Sequence, residues 1–236
     1  MMSGKRWGYV VQFFCLLVFL GMSPFLIKMD GRKTMSVSSD SVRSQNVSDE
    51  VKPVVALTFD DGPNASSTPI LLDGLKERKV RATFFLIGEN VEKDENGKIV
   101  KRMYEEGHLI GNHTYRHVDL SKISGREAEK EIKTTDEAIK KITGHETEFI
   151  RPPFGAMPEG EEDPDKIYVK WTVDSLDWVT KDTEKIVEKV TADTKEGDVI
   201  LMHDCYGESV EAALQIVDIM EKQGYEFVTA DELIIN

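Results

Sequence analysis

Short apolar runs alternate with longer amphipathic stretches along residues 51–236. The apolar runs predict strands because they are rich in β-branched and aromatic side chains and end in turn residues. The stretches between them space apolar residues three and four apart, which predicts helices. The predicted strands are 54–60, 82–88, 108–112, 149–152, 168–174, 198–204 and 226–229. The predicted helices are 68–79, 98–106, 125–142, 182–194, 208–223 and 230–235.

This alternation of strands and helices predicts an α/β fold with a parallel sheet. A complete barrel of this type has eight strand–helix units, and the chain offers fewer. We therefore expect a distorted, incomplete (β/α) barrel of about seven parallel strands. An open, doubly wound sheet is the alternative.

The N-terminal part of the chain has a different composition. Residues 7–27 carry no charge, and as a helix they would be long enough to cross a bilayer. We expect residues 1–27 to form a membrane anchor, a transmembrane helix; a cleaved signal peptide is the alternative. Residues 28–50 are rich in serine and predict a flexible linker to a domain spanning 51–236.

The charge of the chain limits its partners. The formal net charge is −13, and the acidic excess lies in the part that follows the linker. A surface this acidic argues against binding nucleic acid through its phosphates. One of the two cysteines, Cys15, lies in the apolar N-terminal run, so the predicted domain cannot form an internal disulfide.

Ionisable side chains follow five of the predicted strands. The carboxyl ends of parallel strands meet on one face of such a fold, where ligands bind. We therefore expect these side chains to lie close together: Asp60 and Asp61, His113 and His117, Arg151, Asp174 and Asp177, and His203.

The spacing of His113 and His117 suggests a metal site. On a helical turn, residues four apart share a face. Two imidazoles and a carboxylate from Asp60 or Asp61 would form a catalytic zinc site with open positions, and the other carboxylate would remain free as a base. Thr114 stands where a helical zinc protease needs glutamate. Two surface histidines without a metal are the alternative.

His203 follows a buried apolar strand, where a histidine is often only a core residue. Beside an aspartate it could instead be held protonated as a general acid.

Five ordered motifs resemble those of the polysaccharide deacetylases, the NodB-homology group of carbohydrate esterase family four. They are Thr58-Phe59-Asp60-Asp61-Gly62-Pro63, His113-x3-His117, Arg151-Pro152-Pro153-Phe154-Gly155, Asp174-x2-Asp177-Trp178 and Leu201-x-His203-Asp204. The resemblance implies that Asp61, His113 and His117 bind a divalent metal, most commonly zinc, with cobalt or nickel as substitutes. It also implies that the metal polarises the substrate carbonyl and activates a water.

The resemblance further implies roles for the other residues. Asp60 would be the general base, oriented by Arg151, and His203 the general acid, paired with Asp177 and less surely with Asp174. The backbone N–H of Phe154 would stabilise the oxyanion, and Trp178 and Leu201 would line a pocket for the acetyl methyl group. Substrate contacts are thus expected from Pro153, Phe154, Asp174, Trp178 and Leu201.

The function expected from this resemblance is hydrolysis of the N-acetyl group of an N-acetylglucosamine polysaccharide. Bacterial cell-wall peptidoglycan is the expected substrate, with a chitin-like glycan as another candidate. The alternatives are an O-acetyl esterase acting on xylan and a glycan-binding module without activity. We expect a single-pass protein of the bacterial cell membrane with its catalytic domain outside the cytoplasm, or a secreted protein if the N-terminal segment is cleaved.

One segment departs from the family pattern. Residues 156–166 are acidic and contain two prolines where the family has an amphipathic helix, so we expect a loop there.

Overall fold

Eight short parallel strands build the central sheet within residues 52–157 and 165–235, the part of the chain that the computed structural model describes. All of these residues fall in one compact unit. The strands are β1 (Val54–Asp60), β2 (Thr83–Leu86), β3 (Leu109–Asn112), β4 (Phe149–Ile150), β5 (Ile167–Tyr168), β6 (Val173–Asp174), β7 (Val199–His203) and β8 (Glu226–Val228).

The helices pack around this sheet. They are α1 (Thr68–Arg78), α2 (Gly88–Val91), α3 (Asn96–Glu105), α4 (Gly125–Thr143), α5 (Asp177–Thr180), α6 (Thr183–Asp193), α7 (Gly207–Lys222) and α8 (Ala230–Ile235). Six of them match the predicted helices to within two residues at either end. The sequence pattern did not predict α2, α5 or two 3₁₀ turns, Leu120–Lys122 and Pro153–Gly155, because a single turn is too short to show a periodic pattern.

The order of the strands shows that the sheet is curved. It runs β5-β4-β3-β2-β1-β7-β6, and β8 pairs with the start of β1. The edge strands β5 and β6 are joined by residues 169–172 alone, a connection of at most about 18 Å. The two edges of the sheet must therefore lie close together, so the predicted incomplete parallel barrel is confirmed and the open doubly wound sheet is wrong.

The predicted strand 168–174 is wrong, because this segment contributes a strand to each edge of the sheet. Between β5 and β6, the carbonyls of Val169 and Lys170 accept hydrogen bonds from the Arg151 guanidinium, both at 3.3 Å. The segment is therefore bound to a buried side chain at the point where the barrel is open.

The main apolar core lies between the sheet and the helices. It includes Leu57 and Phe59 of β1, Phe84 of β2 and Ile216 of α7, all buried. The long helix α4 begins with a capping box formed by Ser124 and Glu127, and it ends at Gly144, which has a φ of 83°.

Two predictions concern residues that are not described. The membrane anchor 1–27 and the linker 28–50 lie outside the described residues. Within 52–157 and 165–235, no helix is long and apolar enough to cross a membrane. In the predicted loop 156–166, the four described residues lie outside helices and strands, and residues 158–164 are not described.

Candidate active site

The carboxyl ends of β1, β3 and β7 bring most of the predicted site residues together. Asp60 is the last residue of β1 and His203 the last of β7, and they are directly opposite each other in the parallel pairing. His113 follows the last residue of β3. The expected convergence is confirmed for these residues and for Asp61, His117, Arg151 and Asp177, whose side chains lie close to theirs.

Asp61, His113 and His117 form a cluster that could hold a metal ion. One ligand atom from each lies within 4.8 Å of the others. Oδ1 of Asp61 is 3.5 Å from Nε2 of His113 and 3.3 Å from Nε2 of His117. This oxygen is buried and has no hydrogen-bond partner among the described residues. A cation bound between the three side chains would satisfy it, so the residues fit a divalent metal.

The surroundings of both imidazoles suit metal binding. Nδ1 of His113 is 2.6 Å from the carbonyl oxygen of Arg151. A carbonyl only accepts hydrogen bonds, so Nδ1 carries a proton, and Nε2 is the ring nitrogen available to a cation between the three side chains. Burial lowers the pKa of His117, and the nearby His113 lowers it further, which favours the neutral form that ligates metals.

The prediction that His113 and His117 share a helical turn is wrong. Residues 113–117, here called the histidine loop, lie outside helices and strands, and Thr114 and His117 have φ values of 63° and 54°. The carbonyls of Thr114 and Tyr115 accept hydrogen bonds from the first N–H groups of α2, at 3.0 and 2.9 Å. The loop therefore turns back towards α2, and this turn brings the two imidazole centroids to 5.0 Å.

Asp60 lies beside this cluster and is held by Arg151. Its Oδ1 accepts a hydrogen bond from the guanidinium at 2.9 Å, and its Oδ2 is 3.6 Å from Nε2 of His113. Arg151 is fully buried, and its guanidinium stacks on the ring of Phe85 at 4.2 Å. Burial lowers the pKa of Arg151, while the carboxylate of Asp60 opposes that effect. One oxygen of Asp60 is thus fixed and the other faces the cluster.

Thr58 also belongs to this arrangement, although the sequence did not predict a role for its side chain. Its hydroxyl donates to the carbonyl of Ile200 at 2.6 Å and accepts from Arg151 at 2.7 Å. Thr58 and Asp60 are two residues apart on β1, so their side chains share a face of the strand. That spacing indicates that Thr58 lies on the same face as Asp60, but it does not show that Arg151 binds the hydroxyl.

His203 and Asp177 form the second charged pair of the site. Nδ1 of His203 is 2.7 Å from Oδ1 of Asp177, and the backbone N–H of His203 donates to Oδ2 at 2.7 Å. Burial disfavours the charged imidazole, but the hydrogen bond and the charge of Asp177 outweigh burial and raise the pKa of His203 to about 9. Nε2 of His203 is 3.9 Å from Oδ2 of Asp61.

Asp174 has a different partner, since its carboxylate accepts a hydrogen bond from the N–H of Leu176 at 2.9 Å. The geometry therefore pairs His203 with Asp177.

The predicted substrate contacts lie in different surroundings. Phe154 is 68% exposed, and its ring is edge-on to His117 at 4.7 Å. Trp178 is half-exposed on α5. Pro153 and Leu201 are buried, the latter within β7. Aromatic surface is therefore open to solvent at Phe154 and Trp178, and the roles of all these residues in substrate binding stay predictions.

The chain is similar in sequence to known proteins. The family model described as "Polysaccharide deacetylase" matches residues 48–163. A peptidoglycan-N-acetylglucosamine deacetylase of Bacillus cereus is 42% identical over 186 residues, covering 75% of this chain and 67% of the relative. The peptidoglycan-N-acetylmuramic acid deacetylase PdaC of Bacillus subtilis is 38% identical over 194 residues, covering 82% of this chain. The chain spans about two fifths of the length of that relative, 41%.

Two solved structures are similar in fold. The structure of PdaC superposes with a TM-score of 0.74 and 38% identity, covering 78% of this chain and 90% of that one. A family 4 acetyl xylan esterase from Clostridium thermocellum, in complex with a cobalt ion, has a TM-score of 0.70 and 33% identity, covering 77% of this chain and 90% of that one.

Proposed function

Because the chain belongs to the polysaccharide deacetylase family, we propose that it removes N-acetyl groups from the glycan of bacterial cell-wall peptidoglycan and releases acetate. The observation that carries this proposal is the cluster of Asp61, His113 and His117 beside two complete pairs, Asp60–Arg151 and His203–Asp177. Peptidoglycan is supported by the names of the relatives from Bacillus.

The metal in this proposal is a divalent cation held by Asp61, His113 and His117. When bound, it would polarise the acetamide carbonyl and lower the pKa of a water molecule. Zinc is our first candidate because two imidazoles, a carboxylate and an open position suit it. Cobalt and nickel are the alternatives, and the acetyl xylan esterase with a cobalt ion supports cobalt as a working substitute.

The residues around the metal would divide the proton transfers. Asp60 takes a proton from the attacking water while Arg151 orients its carboxylate through a hydrogen bond. The water oxygen bonds to the acetamide carbon, and the N–H of Phe154 donates to the resulting oxyanion. His203 then gives its proton to the nitrogen as the carbon–nitrogen bond breaks, which leaves a free amine and acetate.

The substrate contacts complete the proposal. Trp178 would offer its exposed face to the acetyl group, and the buried Leu201 would support that wall from within β7. Pro153 would fix the turn that presents Phe154, and Asp174 would fix the start of α5 through its hydrogen bond to Leu176.

The location of the protein is also a proposal. Residues 1–27 would anchor it in the bacterial cell membrane, and residues 28–50 would let the catalytic domain reach the wall from outside the cytoplasm. Fractionation of cells, with N-terminal sequencing of the mature protein, tests this: a chain that begins after residue 27 in the medium would instead indicate a cleaved signal peptide.

The test of the activity is acetate release from purified substrates with added zinc, cobalt or nickel. We expect release from peptidoglycan or N-acetylglucosamine oligomers, and mass spectrometry should show fragments lighter by one acetyl group. Release from acetylated xylan alone would favour the O-acetyl esterase, a candidate supported by the similar acetyl xylan esterase. No release from any substrate with any metal would favour a glycan-binding module.

A further inference from the structure

Two buried carboxylates of α4 also hold the histidine loop, in addition to the N–H groups of α2. The first is Glu131, which is almost fully buried. Its Oε2 accepts a hydrogen bond from the backbone N–H of Arg116 at 2.8 Å, and its Oε1 accepts two from the Arg116 guanidinium, at 2.9 and 2.6 Å. The carboxylate thus fixes the residue directly before the candidate ligand His117.

The second carboxylate, Asp136, acts through Asn112. Its Oδ1 accepts a hydrogen bond from the side-chain amide of Asn112 at 2.8 Å. The amide oxygen of Asn112 in turn accepts from the N–H of Thr114 at 2.8 Å. Lys166 binds the other oxygen of Asp136 at 2.7 Å and balances its charge. Both residues next to His113 are therefore fixed by one chain of hydrogen bonds that begins on α4.

The backbone of the loop needs such support. Thr114 and His117 both lie in the left-handed region, which costs free energy for residues other than glycine and persists only where the surroundings impose it. The N–H groups at the start of α2 donate to the carbonyls of Thr114 and Tyr115. The N–H of Thr114 donates to Asn112, which Asp136 holds, and the N–H of Arg116 donates directly to Glu131. Carbonyl groups and N–H groups of the loop backbone are therefore both bound.

We propose that Glu131 and Asp136 are positioning residues that aim the imidazoles of His113 and His117 at a shared divalent cation. This inference rests on the metal site of the proposed function. It adds residues that touch neither the cation nor the substrate, and it accounts for the presence of two buried acids on the face of α4 that meets the loop.

The ion pair of Glu131 with Arg116 is a weaker explanation for the buried acid. The side chain of Arg116 is 65% exposed, and an exposed partner adds little stability. The bond to the backbone N–H, in contrast, acts directly on the loop. Arg116→Ala removes the ion pair and keeps that bond, so it separates the two explanations.

The experiment measures cation binding, independently of turnover. Purified full chains carrying Glu131→Gln or Asp136→Asn are titrated with Zn²⁺ against a chromophoric chelator, and with Co²⁺ while its visible absorption is recorded. We expect each variant to bind Zn²⁺ about 10-fold to 100-fold more weakly than the unaltered chain, as is usual when the partners of metal ligands are lost. The Co²⁺ spectrum should also change, because the imidazoles point differently.

Asp218→Asn is the matched control. Asp218 binds Arg78 through two hydrogen bonds, at 2.7 and 2.8 Å, between α7 and α1. Loss of this ion pair in Asp218→Asn should leave the affinity for Zn²⁺ and the Co²⁺ spectrum unchanged. Arg116→Ala should weaken Zn²⁺ binding by no more than about threefold, the effect of an exposed ion pair.

Several outcomes would overturn the inference. One is that the Glu131→Gln variant and the Asp136→Asn variant both keep the Zn²⁺ affinity and the Co²⁺ spectrum of the unaltered chain. Another is that Arg116→Ala weakens Zn²⁺ binding as much as Glu131→Gln does. If Glu131→Gln does not fold, Glu131→Asp keeps the charge but shortens the reach, and normal Zn²⁺ binding by that variant would count equally against us. An unaltered chain that binds no cation would instead remove the metal site of the proposed function, and this inference with it.

Discussion

Asp60 and Asp61 are adjacent residues with opposite surroundings. Oδ1 of Asp60 accepts from a buried guanidinium, whereas Oδ1 of Asp61 is buried without a hydrogen-bond partner among the described residues. A carboxylate held by a hydrogen bond suits a base that must keep its orientation, and an unsatisfied one suits a metal ligand. The residue pattern alone left open which aspartate has which role, because both follow the same strand; the difference comes from partners distant in sequence.

The role of Asp60 can be tested by Asp60→Asn, which removes the basic oxygen and keeps the size of the side chain. We expect kcat/KM for deacetylation to fall by about 10²-fold to 10⁴-fold, the usual contribution of a general base. The metal content, measured by elemental analysis, should not change. Asp73→Asn is the control, since this exposed aspartate of α1 pairs with Arg102 at the surface. A near-normal rate for Asp60→Asn would remove Asp60 as the base.

The pairing of His203 with Asp177 predicts a pH dependence. A general acid must be protonated, so activity should be present below the pKa of His203, about 9, and should be lost as the pH rises through it. Asp177→Asn removes the charge that raises this pKa and should move the loss of kcat/KM towards the ordinary histidine pKa of about 6.5. The measurement is kcat/KM against pH.

Asp174→Asn provides the control for that profile. Asp174 binds the N–H of Leu176 and not the imidazole, so the alkaline loss of activity should stay near its original pH in this variant. A shift with Asp174→Asn, or none with Asp177→Asn, would contradict the assignment of the pair.

At the scale of the elements, sequence periodicity predicted long helices better than short connections. The apolar spacing of α4 was visible in the sequence, and the helix lies within one residue of its prediction. The histidine loop was misjudged because its shape depends on α2 and α4, whose N–H groups and carboxylates are distant in sequence. Likewise, nothing in residues 168–174 shows that the segment crosses from one edge of the sheet to the other.

The strand β3 allows a test of how packing supports the site. A Cβ added at Gly111 would lie 2.4 Å from the ring of Phe85 and 3.1 Å from the carbonyl of Phe149. Because Arg151 stacks on that ring, we expect Gly111→Ala to displace both side chains, to cost about 1–3 kcal/mol of unfolding free energy, and to lower kcat/KM. Urea unfolding and steady-state kinetics measure the two effects.

Gly125→Ala is the control for this substitution. Gly125 is the first residue of α4, and a Cβ there would have no described heavy atom within 4 Å. The stability should stay the same or rise slightly, because alanine favours helices over glycine. Equal effects of the two substitutions would contradict the role of Gly111 in packing.

His108, which lies directly before β3, is buried and should make the stability of the domain depend on pH. Burial lowers the pKa of His108 to about 4, and its Nδ1 accepts a hydrogen bond from the N–H of Ala82 at 3.0 Å. The unfolded chain takes up the proton near pH 6.5 and the folded chain only near 4. Stability is therefore full above about 6.5 and is lost as the pH falls towards 4, by up to about 3 kcal/mol.

His108→Asn tests this because asparagine keeps an acceptor and does not titrate. Urea unfolding between pH 4 and pH 7 should show a smaller loss of stability for this variant than for the unaltered chain. His145→Asn is the control, since His145 is exposed and should leave the pH dependence unchanged. The same pH dependence in His108→Asn would count against the neutral buried histidine.

At the scale of the whole molecule, the curved parallel sheet explains why so much of the site could be predicted. Any fold of this class gathers the carboxyl ends of its strands, so Asp60, His113 and His203 had to converge once their strands were identified. The exact partners could not be predicted in the same way. Thr58, Asn112 and Glu131 bind through hydrogen bonds whose geometry only the complete fold defines.

The same convergence links metal binding to the stability of the entire domain. The three candidate ligands come from two strand ends, and the unfolded chain cannot hold them together, so a cation should bind the folded state preferentially. At a free Zn²⁺ concentration of 100 times Kd, binding should add about 2.7 kcal/mol to the free energy of unfolding. Thermal unfolding with and without Zn²⁺ should show this gain, and a chelator should reverse it. His113→Ala and His117→Ala should lose the gain, while His145→Ala should keep it; a full gain in either ligand variant would mean that Zn²⁺ stabilises the domain from some other site.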